Sequence, residues 1–266
     1  LRSKGKKVIA GDFSNYDGTE VAEILWSILD IANDWYDDEF KDQRYLLWVE
    51  LVNSIHLLDT LLYGWTHSNP SGNPMTGHIS SVYQLVAWLY IWPAIVPKEI
   101  MPLENFERLM AVITYGDDNV VNVADEVAPY VTQQTVTKAF YEELGMEYTD
   151  ENKTGEDVAP HRLLTEVSFL KRKFVQKSAL EWLAPLDRDT IEEIPLWCRY
   201  RPGFSLWEQM QNNIDAVMNE AALHGQEYFD ELRSKYIRQF RMFGQFPEMM
   251  TLEEYRHRQL FDGEYW

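Results

Sequence analysis

Apolar positions recur every three to four residues in some stretches and on alternate or consecutive residues in others. The two rhythms divide the chain into helices and strands. Val21, Ile24, Leu25, Ile28, Leu29, Ala32 and Trp35 share one face and predict a helix. Thr19 opens it, and Glu20, Glu23 and Asp30 supply acids that suit its positive end. A second helix is expected over residues 42–54, followed by an irregular apolar segment over 57–65. Asn69, Pro70, Ser71, Gly72, Asn73 and Pro74 form a dense turn cluster. Residues 75–92 then read as a long buried helix stopped by Pro93. Residues 131–144 have helical period, with Val136, Ala139, Phe140 and Leu144 on one side and Gly145 as a C-cap.

The strand signals are shorter. Val8, Ile9 and Ala10 lead to a turn near Asn15. Residues 109–113 and 120–123 are rich in β-branched side chains and flank Gly116, which predicts a tight hairpin with Asp117 and Asp118 at its tip. Residues 146–149 read as a strand, and 167–175 as another strand or hairpin. Near residue 176 the character changes from α+β to mainly helical. Prolines break 179–202. Two stripes follow: Trp207, Met210, Ile214, Val217, Met218 and Ala221, then Phe229, Leu232, Tyr236, Ile237 and Phe240.

Composition narrows the function classes. With 266 residues and 45% hydrophobic content, the chain has ample material for a folded core. Its one cysteine, Cys198, excludes an internal disulfide and fits a reducing compartment. No signal peptide is read at the basic start. The longest apolar run, 85–97, is too short to span a bilayer and carries two prolines. The net charge is −19, the reverse of the usual nucleic-acid footprint, so a nucleic-acid role has to come from a local site. The six histidines are scattered and read as structural or exposed.

The candidate chemistry lies in paired acids. Two bare carboxylates about 4 Å apart repel by roughly 4 kcal/mol at an effective dielectric near 20. A wet turn or a cation offsets that. Asp12 at a strand end, with Asp17 five residues on, and Asp117–Asp118 at a hairpin tip form two such acidic points. Carboxylates at two strand ends can hold two divalent cations that clamp the attacking and leaving oxygens of a phosphoryl transfer. Mg²⁺ suits that role, because it prefers oxygen ligands and substrate phosphates.

The order of motifs resembles the palm and thumb of RNA-dependent RNA polymerases from picornavirus-like viruses of picornavirus, dicistrovirus and iflavirus type. The resemblance runs over nearly the whole chain. Asp12 to Asp17 resembles motif A, Ser71-Gly72 to Thr76 motif B, and Tyr115-Gly-Asp-Asp118 motif C. Residues 149–153 resemble motif D, and Phe169-Leu-Lys-Arg172 resembles motif E. A lone Gly-Asp-Asp is weak, whereas five elements in this order are specific. The implied fold is α+β: an antiparallel palm sheet with packed helices and an RRM-like core, then a helical thumb. The implied domains are palm at 1–39, a partial fingers insertion at 40–68, palm at 69–176 and thumb at 177–266.

The resemblance implies roles residue by residue. Asp12 and Asp117 would ligate both metals, Asp118 would be a more peripheral ligand or shape the electrostatics, and the Phe13 carbonyl would be an extra ligand. Two Mg²⁺ ions are the implied cofactors, with Mn²⁺ as the alternative. Lys153 would protonate the pyrophosphate leaving group. Asp17 would read the incoming ribose, with Ser71 and Thr76 completing the network and Gly72 letting the loop flex. This family usually has Asn-Ser on the motif B helix, and this chain has Ser80-Ser81. Ser80 reaches less far, so the ribose network is expected to be rewired through water or Asn73. Lys171 and Arg172 would contact primer phosphates. The outward basic residues Arg233, Lys235, Arg238 and Arg241 fit either an RNA exit path or solvated pairing with the nearby acids.

The implied activity is RNA-directed RNA synthesis from nucleoside triphosphates during viral genome replication. A reverse transcriptase and a non-catalytic palm–thumb platform are the alternatives. The expected partners are RNA template and primer, nucleoside triphosphates, an upstream fingers domain of the same polyprotein and a protein primer, with no direct membrane insertion. The expected location is the host cytoplasm, at viral replication complexes. Most of the fingers domain is missing from the resemblance, so this fragment alone is expected to be inactive.

Overall fold

The computed structural model describes residues 2–153, 155, 158–179, 181–198 and 202–261. It divides into two compact units, residues 1–169 and 170–266. That division falls a few residues before the change of character read near residue 176.

The first unit is built on a four-stranded sheet of order β4-β5-β1-β6, antiparallel throughout. Its strands are β1 (Lys7–Phe13), β4 (Met110–Tyr115), β5 (Asp118–Val123) and β6 (Tyr148–Asp150). The central pair, β1 and β5, is almost wholly buried, which explains their near-continuous apolar runs. Register decides what meets at the sheet end. Gly11 lies opposite Asn119 on one side and Asp150 on the other, so Asp12 emerges between the β4–β5 turn and the end of β6.

Helices α2 (Ala22–Tyr36), α4 (Thr76–Ile95) and α6 (Gln133–Leu144) contribute to one core with the sheet. Phe13 points inward where Asp12 points outward, following the two-residue period of a strand. Its ring lies 4.8 Å from Tyr148, 4.9 Å from Phe140 and 5.0 Å from Tyr16. Trp88 of α4 meets Phe140 edge-on at 5.3 Å. This aromatic cluster backs the strand that carries Asp12. Helix α6 has a capping box between Thr132 and Thr135, and Gly145 closes it at φ 67°, as its sequence suggested.

Two expectations are corrected. The segment 57–65 is not irregular: β2 (Ile55–Leu58) and β3 (Leu61–Gly64) form a hairpin next to α3 (Lys41–Val52). Its side chains are largely exposed, so the two-residue burial rhythm of a packed strand is absent from the sequence. Helix α4 also runs past Pro93 to Ile95. Proline removes one N–H and clashes with the carbonyl four residues back, yet here only the last turn follows it. Two short helices, α1 (Tyr16–Thr19) and α5 (Leu103–Leu109), complete the unit, and β7 (Ser168–Phe169) ends it.

Among its described residues the second unit contains β8 (Arg172–Lys173), the β9–β10 pair (Val175–Gln176 with Trp182–Leu183) and four α-helices. These are α7 (Arg188–Glu193), α8 (Leu206–Ala221), α9 (Gln226–Met242) and α10 (Leu252–Phe261). The two stripes read from the sequence do form its core: Ile214, Val217, Met218 and Ala221 of α8 pack with Phe229, Leu232, Tyr236 and Phe240 of α9. Ser205 caps α8 reciprocally with Glu208.

Candidate active site

The strand that delivers Asp12 passes under a ring. A Cβ on Gly11 would lie 2.1 Å from Cζ of Tyr148, so only glycine fits immediately before the acid. The Tyr148 hydroxyl donates to Asn119 Oδ1 at 2.8 Å, and Asn119 Nδ2 donates to the Gly11 carbonyl at 3.3 Å. β1, β5 and β6 are therefore locked together one residue below Asp12.

The opposing acids sit on the β4–β5 turn, where Gly116 takes φ 60°. Helix α4 holds that turn from behind. Ser81 Oγ accepts from the Gly116 N–H at 2.8 Å. The Thr114 hydroxyl donates to the Ser81 carbonyl at 3.0 Å. Gln84 Nε2 donates to the Asp117 carbonyl at 2.8 Å. The sequence reading missed Ser81 and Gln84 as supports. Their signal was two polar residues, three apart, in a helix otherwise reading as buried.

The acids affect one another. Asp118 is pushed up to about 6, mainly by partial burial and then by the charges of Asp117 and Asp12. Asp117 is also raised, first by burial and then by Asp12 and Asp17. These are crowded carboxylates whose ionised forms call for a cation. Lys153 is one: its Nζ lies 3.2 Å from Asp12 Oδ2. The loop that presents it is pinned. Arg162 pairs with Glu151 at 2.6 Å in a nearly buried ion pair and donates to the Ala10 carbonyl at 3.0 Å. Ser168 N–H donates to Glu151 as well. Among the described residues no set of three His, Cys, Asp or Glu side chains forms a ready-made ion cage. Mg²⁺ sites of one or two carboxylates completed by substrate phosphates need none.

The motif B residues gather around Asp17. The Ser71 hydroxyl donates to the Asp17 carboxylate. Thr76 Oγ1 donates to the carbonyls of Pro70 and Asn73, so it shapes the loop. Gly72 has open space around it. Ser80 is buried at 1% exposure. Asn73 Oδ1 accepts from the Met75 N–H at 2.8 Å. Asn69 Nδ2 donates to Ser80 Oγ at 3.0 Å. Close by in sequence, Glu20 is fully buried, and burial pushes its carboxyl up to about 8.

The structure thus brings Asp12, Asp17, Ser71, Thr76, Ser80, Asp117, Asp118 and Lys153 into the first unit. Phe13 contributes its ring to the core, leaving only its carbonyl for any ligand role. Lys171 and Arg172 belong to the second unit. Lys171 is exposed with φ 60°. Arg172 is held by Glu220, at 2.7 and 2.9 Å, and by the Ala184 carbonyl at 2.8 Å, so its charge is already matched. Of the outward thumb cations, Lys235 pairs with Glu192 at 3.1 Å, and Arg233 is half-buried.

A family model described as viral RNA-dependent RNA polymerase matches residues 1–240. The replicase polyprotein of Drosophila C virus (strain EB) is 35% identical over 274 residues, covering 97% of this chain and 15% of that polyprotein. That of acute bee paralysis virus (strain Rothamsted) is 37% identical over 245 residues, covering 87% and 12%. A solved Sicinivirus 3Dpol RNA dependent RNA polymerase superposes with a TM-score of 0.70 at 17% identity, covering 96% of this chain and 51% of that one. At that identity the likeness shows the fold. The chain spans about half the length of that polymerase and a smaller share of the polyproteins. Matched by the family model over most of its length, the chain belongs to the viral RNA-dependent RNA polymerase family.

Proposed function

We propose that this chain carries the catalytic palm, and the thumb, of a polymerase that adds nucleoside triphosphates to an RNA 3′ end on an RNA template. One observation carries the reading. Asp12 and the Asp117–Asp118 turn converge at one sheet end, with Lys153 3.2 Å from Asp12 and the Asp17–Ser71 pair on the adjoining loop. Phosphoryl transfer asks the protein chiefly for positioning and electrostatic stabilisation. Every element here supplies one of those. The family match names RNA-dependent RNA polymerase, which weighs against a reverse transcriptase.

Divalent metal ions fit the donor set, which is all oxygen and crowded enough to raise two of its carboxyl pKa values. Asp12, Asp117 and Asp118, with the Phe13 carbonyl, are the residues that would hold two Mg²⁺, or Mn²⁺ in their place. Bound there, the metal pair supplies activation of the 3′-hydroxyl and charge neutralisation on the triphosphate. Lys153, placed by the Glu151–Arg162 pair, would hold a proton at the departing pyrophosphate. Lys171 is the exposed cation on the motif E turn proposed to meet a primer phosphate.

Further sequence of the same polymerase is the proposed partner of the α3–β3 region. Leu46, Leu47, Ile55, Leu57, Leu58 and Leu62 are each more than 60% exposed there, and exposed apolar side chains gathered in one segment mark an interaction surface. The matched polymerase has about as much chain again outside the aligned region, enough to cover it. RNA template and primer, nucleoside triphosphates and a protein primer complete the proposed partners. We place the enzyme at replication complexes in the host cytoplasm. None of the described helices is long and apolar enough to cross a membrane.

The test is primer extension on an RNA template by the complete polymerase, beside Asp117→Ala. Incorporation by the parent and loss of at least about a thousandfold in the variant, with RNA binding retained, is the expected result. Extension by Asp117→Ala at the parental rate would overturn the reading.

A further inference from the structure

Continued in register, β6 would carry residue 153 alongside Val8, away from Asp12. Another segment occupies that place. Val8 and Arg162 exchange backbone bonds, each N–H donating to the other's carbonyl at 2.9 Å. β6 accordingly stops at Asp150, and the Lys153 N–H turns back to the Asp150 carbonyl at 2.9 Å. The intruding segment is itself anchored on the start of α6. Gln133 N–H donates to the Pro160 carbonyl at 3.0 Å, and Gln134 Nε2 donates to the Val158 carbonyl at 2.6 Å. The Arg162 side chain then closes the turn. Its two terminal nitrogens donate to the two oxygens of Glu151 at 2.8 and 2.6 Å, and Nη2 also donates to the Ala10 carbonyl at 3.0 Å. Ala10 lies two residues before Asp12, and Glu151 two residues before Lys153. One guanidinium therefore grips both chains at the same remove from the contact between them.

The clamp is dry and the lysine it serves is wet. The side chains of Arg162 and Glu151 are 12% and 7% exposed, while that of Lys153 is 63% exposed. A lysine on a flexible four-carbon stem in water samples many rotamers, so its reach depends on where the backbone starts it. A planar guanidinium suits the opposite task, because its fork fixes a carboxylate in one orientation. Glu151 Oε1 accepts a further bond from the Ser168 N–H at 3.2 Å, which holds it from a second side. We propose that Arg162 is a positioning residue for proton transfer by Lys153, setting its approach through Glu151 on one side and the Asp12 strand on the other. The proposal rests on the polymerase reading above. Arg162 lies behind both groups and acts only through them. As the bond from the α-phosphorus to the bridging oxygen breaks, the Lys153 ammonium gives its proton to that departing oxygen. Loosening the clamp brings the proton into reach less often and leaves nucleotide binding as it was.

The experiment uses the complete polymerase and measures kcat and KM for single-nucleotide incorporation, with Lys153 present and in a Lys153→Met background. Arg162→Lys keeps the charge and loses the fork. It is expected to lower kcat about tenfold and to leave the nucleotide KM within about twofold, since small misplacements of a reacting group are costly. In the Lys153→Met background the same substitution is expected to change kcat by no more than about twofold, because its route to the chemistry is gone. A buried charge left unpaired can itself unfold a protein, so the pair is also removed whole, as Glu151→Leu with Arg162→Met. That double variant is expected to stay folded and to lose kcat only where Lys153 is present. Equal losses in both backgrounds would mark a merely structural clamp and overturn the proposal, as would a wild-type kcat in either Arg162→Lys or the paired variant. A Lys153→Met enzyme as fast as wild type would remove the acid that Arg162 places, and this proposal with it, while Asp117→Ala still decides the polymerase reading.

Discussion

Lys153 Nζ lies 3.2 Å from Asp12 Oδ2, although the two residues belong to opposite ends of the palm sequence. Lys153 is held in the left-handed region at φ 53°, a conformation that costs a non-glycine residue roughly 1 kcal/mol. Glu151, clamped by Arg162, sustains it. Strain kept at a site of this kind points to a role for the side chain. Lys153→Met is expected to lower kcat of the complete polymerase by about a hundredfold or more, the scale of a lost general acid, with RNA affinity within about twofold. Single-nucleotide incorporation rates check this. An unchanged kcat would leave Lys153 as a counter-ion only.

The close pass of Tyr148 over Gly11 makes a stability prediction. Gly11→Ala places a methyl 2.1 Å from the ring, and neither the central strand nor the buried ring has room to yield. Destabilisation by roughly 1–3 kcal/mol or more is expected. Tyr148→Phe removes only the hydroxyl bond to Asn119 and is expected to cost about 1 kcal/mol. Thermal denaturation of the 266-residue chain measures both. Equal effects would contradict the steric account.

Gln84 reaches the acids through the main chain. Its amide donates to the Asp117 carbonyl at 2.8 Å, and Ser81 accepts from Gly116 at 2.8 Å. Gln84→Leu keeps the volume and removes the tether. A fall in kcat of about tenfold is expected, because small misplacements of reacting groups are costly. The unfolding midpoint should move far less than for Gly11→Ala. A wild-type kcat would show that the turn holds itself.

Burial of Glu20 sets a pH dependence. Its carboxyl is raised from an ordinary 4.5 to about 8, so between those values the folded protein binds a proton that the unfolded chain has released. Stability from this group is therefore greatest below about pH 4.5 and is lost as pH rises towards 8. Glu20→Gln removes that titration. The variant's melting temperature, relative to wild type, is expected to rise between pH 5 and pH 8. Parallel curves for the two proteins would sink this account.

The sequence by itself determined the local chemistry. Gly116 and Gly145 sit where the backbone takes φ values of 60° and 67°, so the Asp117–Asp118 turn and the end of α6 were legible. The long stripes of α2, α8 and α9 were equally legible, because a helix face repeats within a few residues. Asp12 and the Asp117–Asp118 pair stood out because acids flanking apolar strands are unusual. The exposed β2–β3 hairpin was not legible, since no burial pattern marks it. Nor could spacing reveal which amide meets Ser80. Asn73 is nearer in sequence, but it caps its own turn, and the loop's backbone bonds to Asp17 and Glu20 bring Asn69 to the hydroxyl instead. Arg172 is similar: its charge looked available until α8 supplied Glu220. Pairings between distant segments depend on strand register and helix packing, and these are fixed only when the whole core closes.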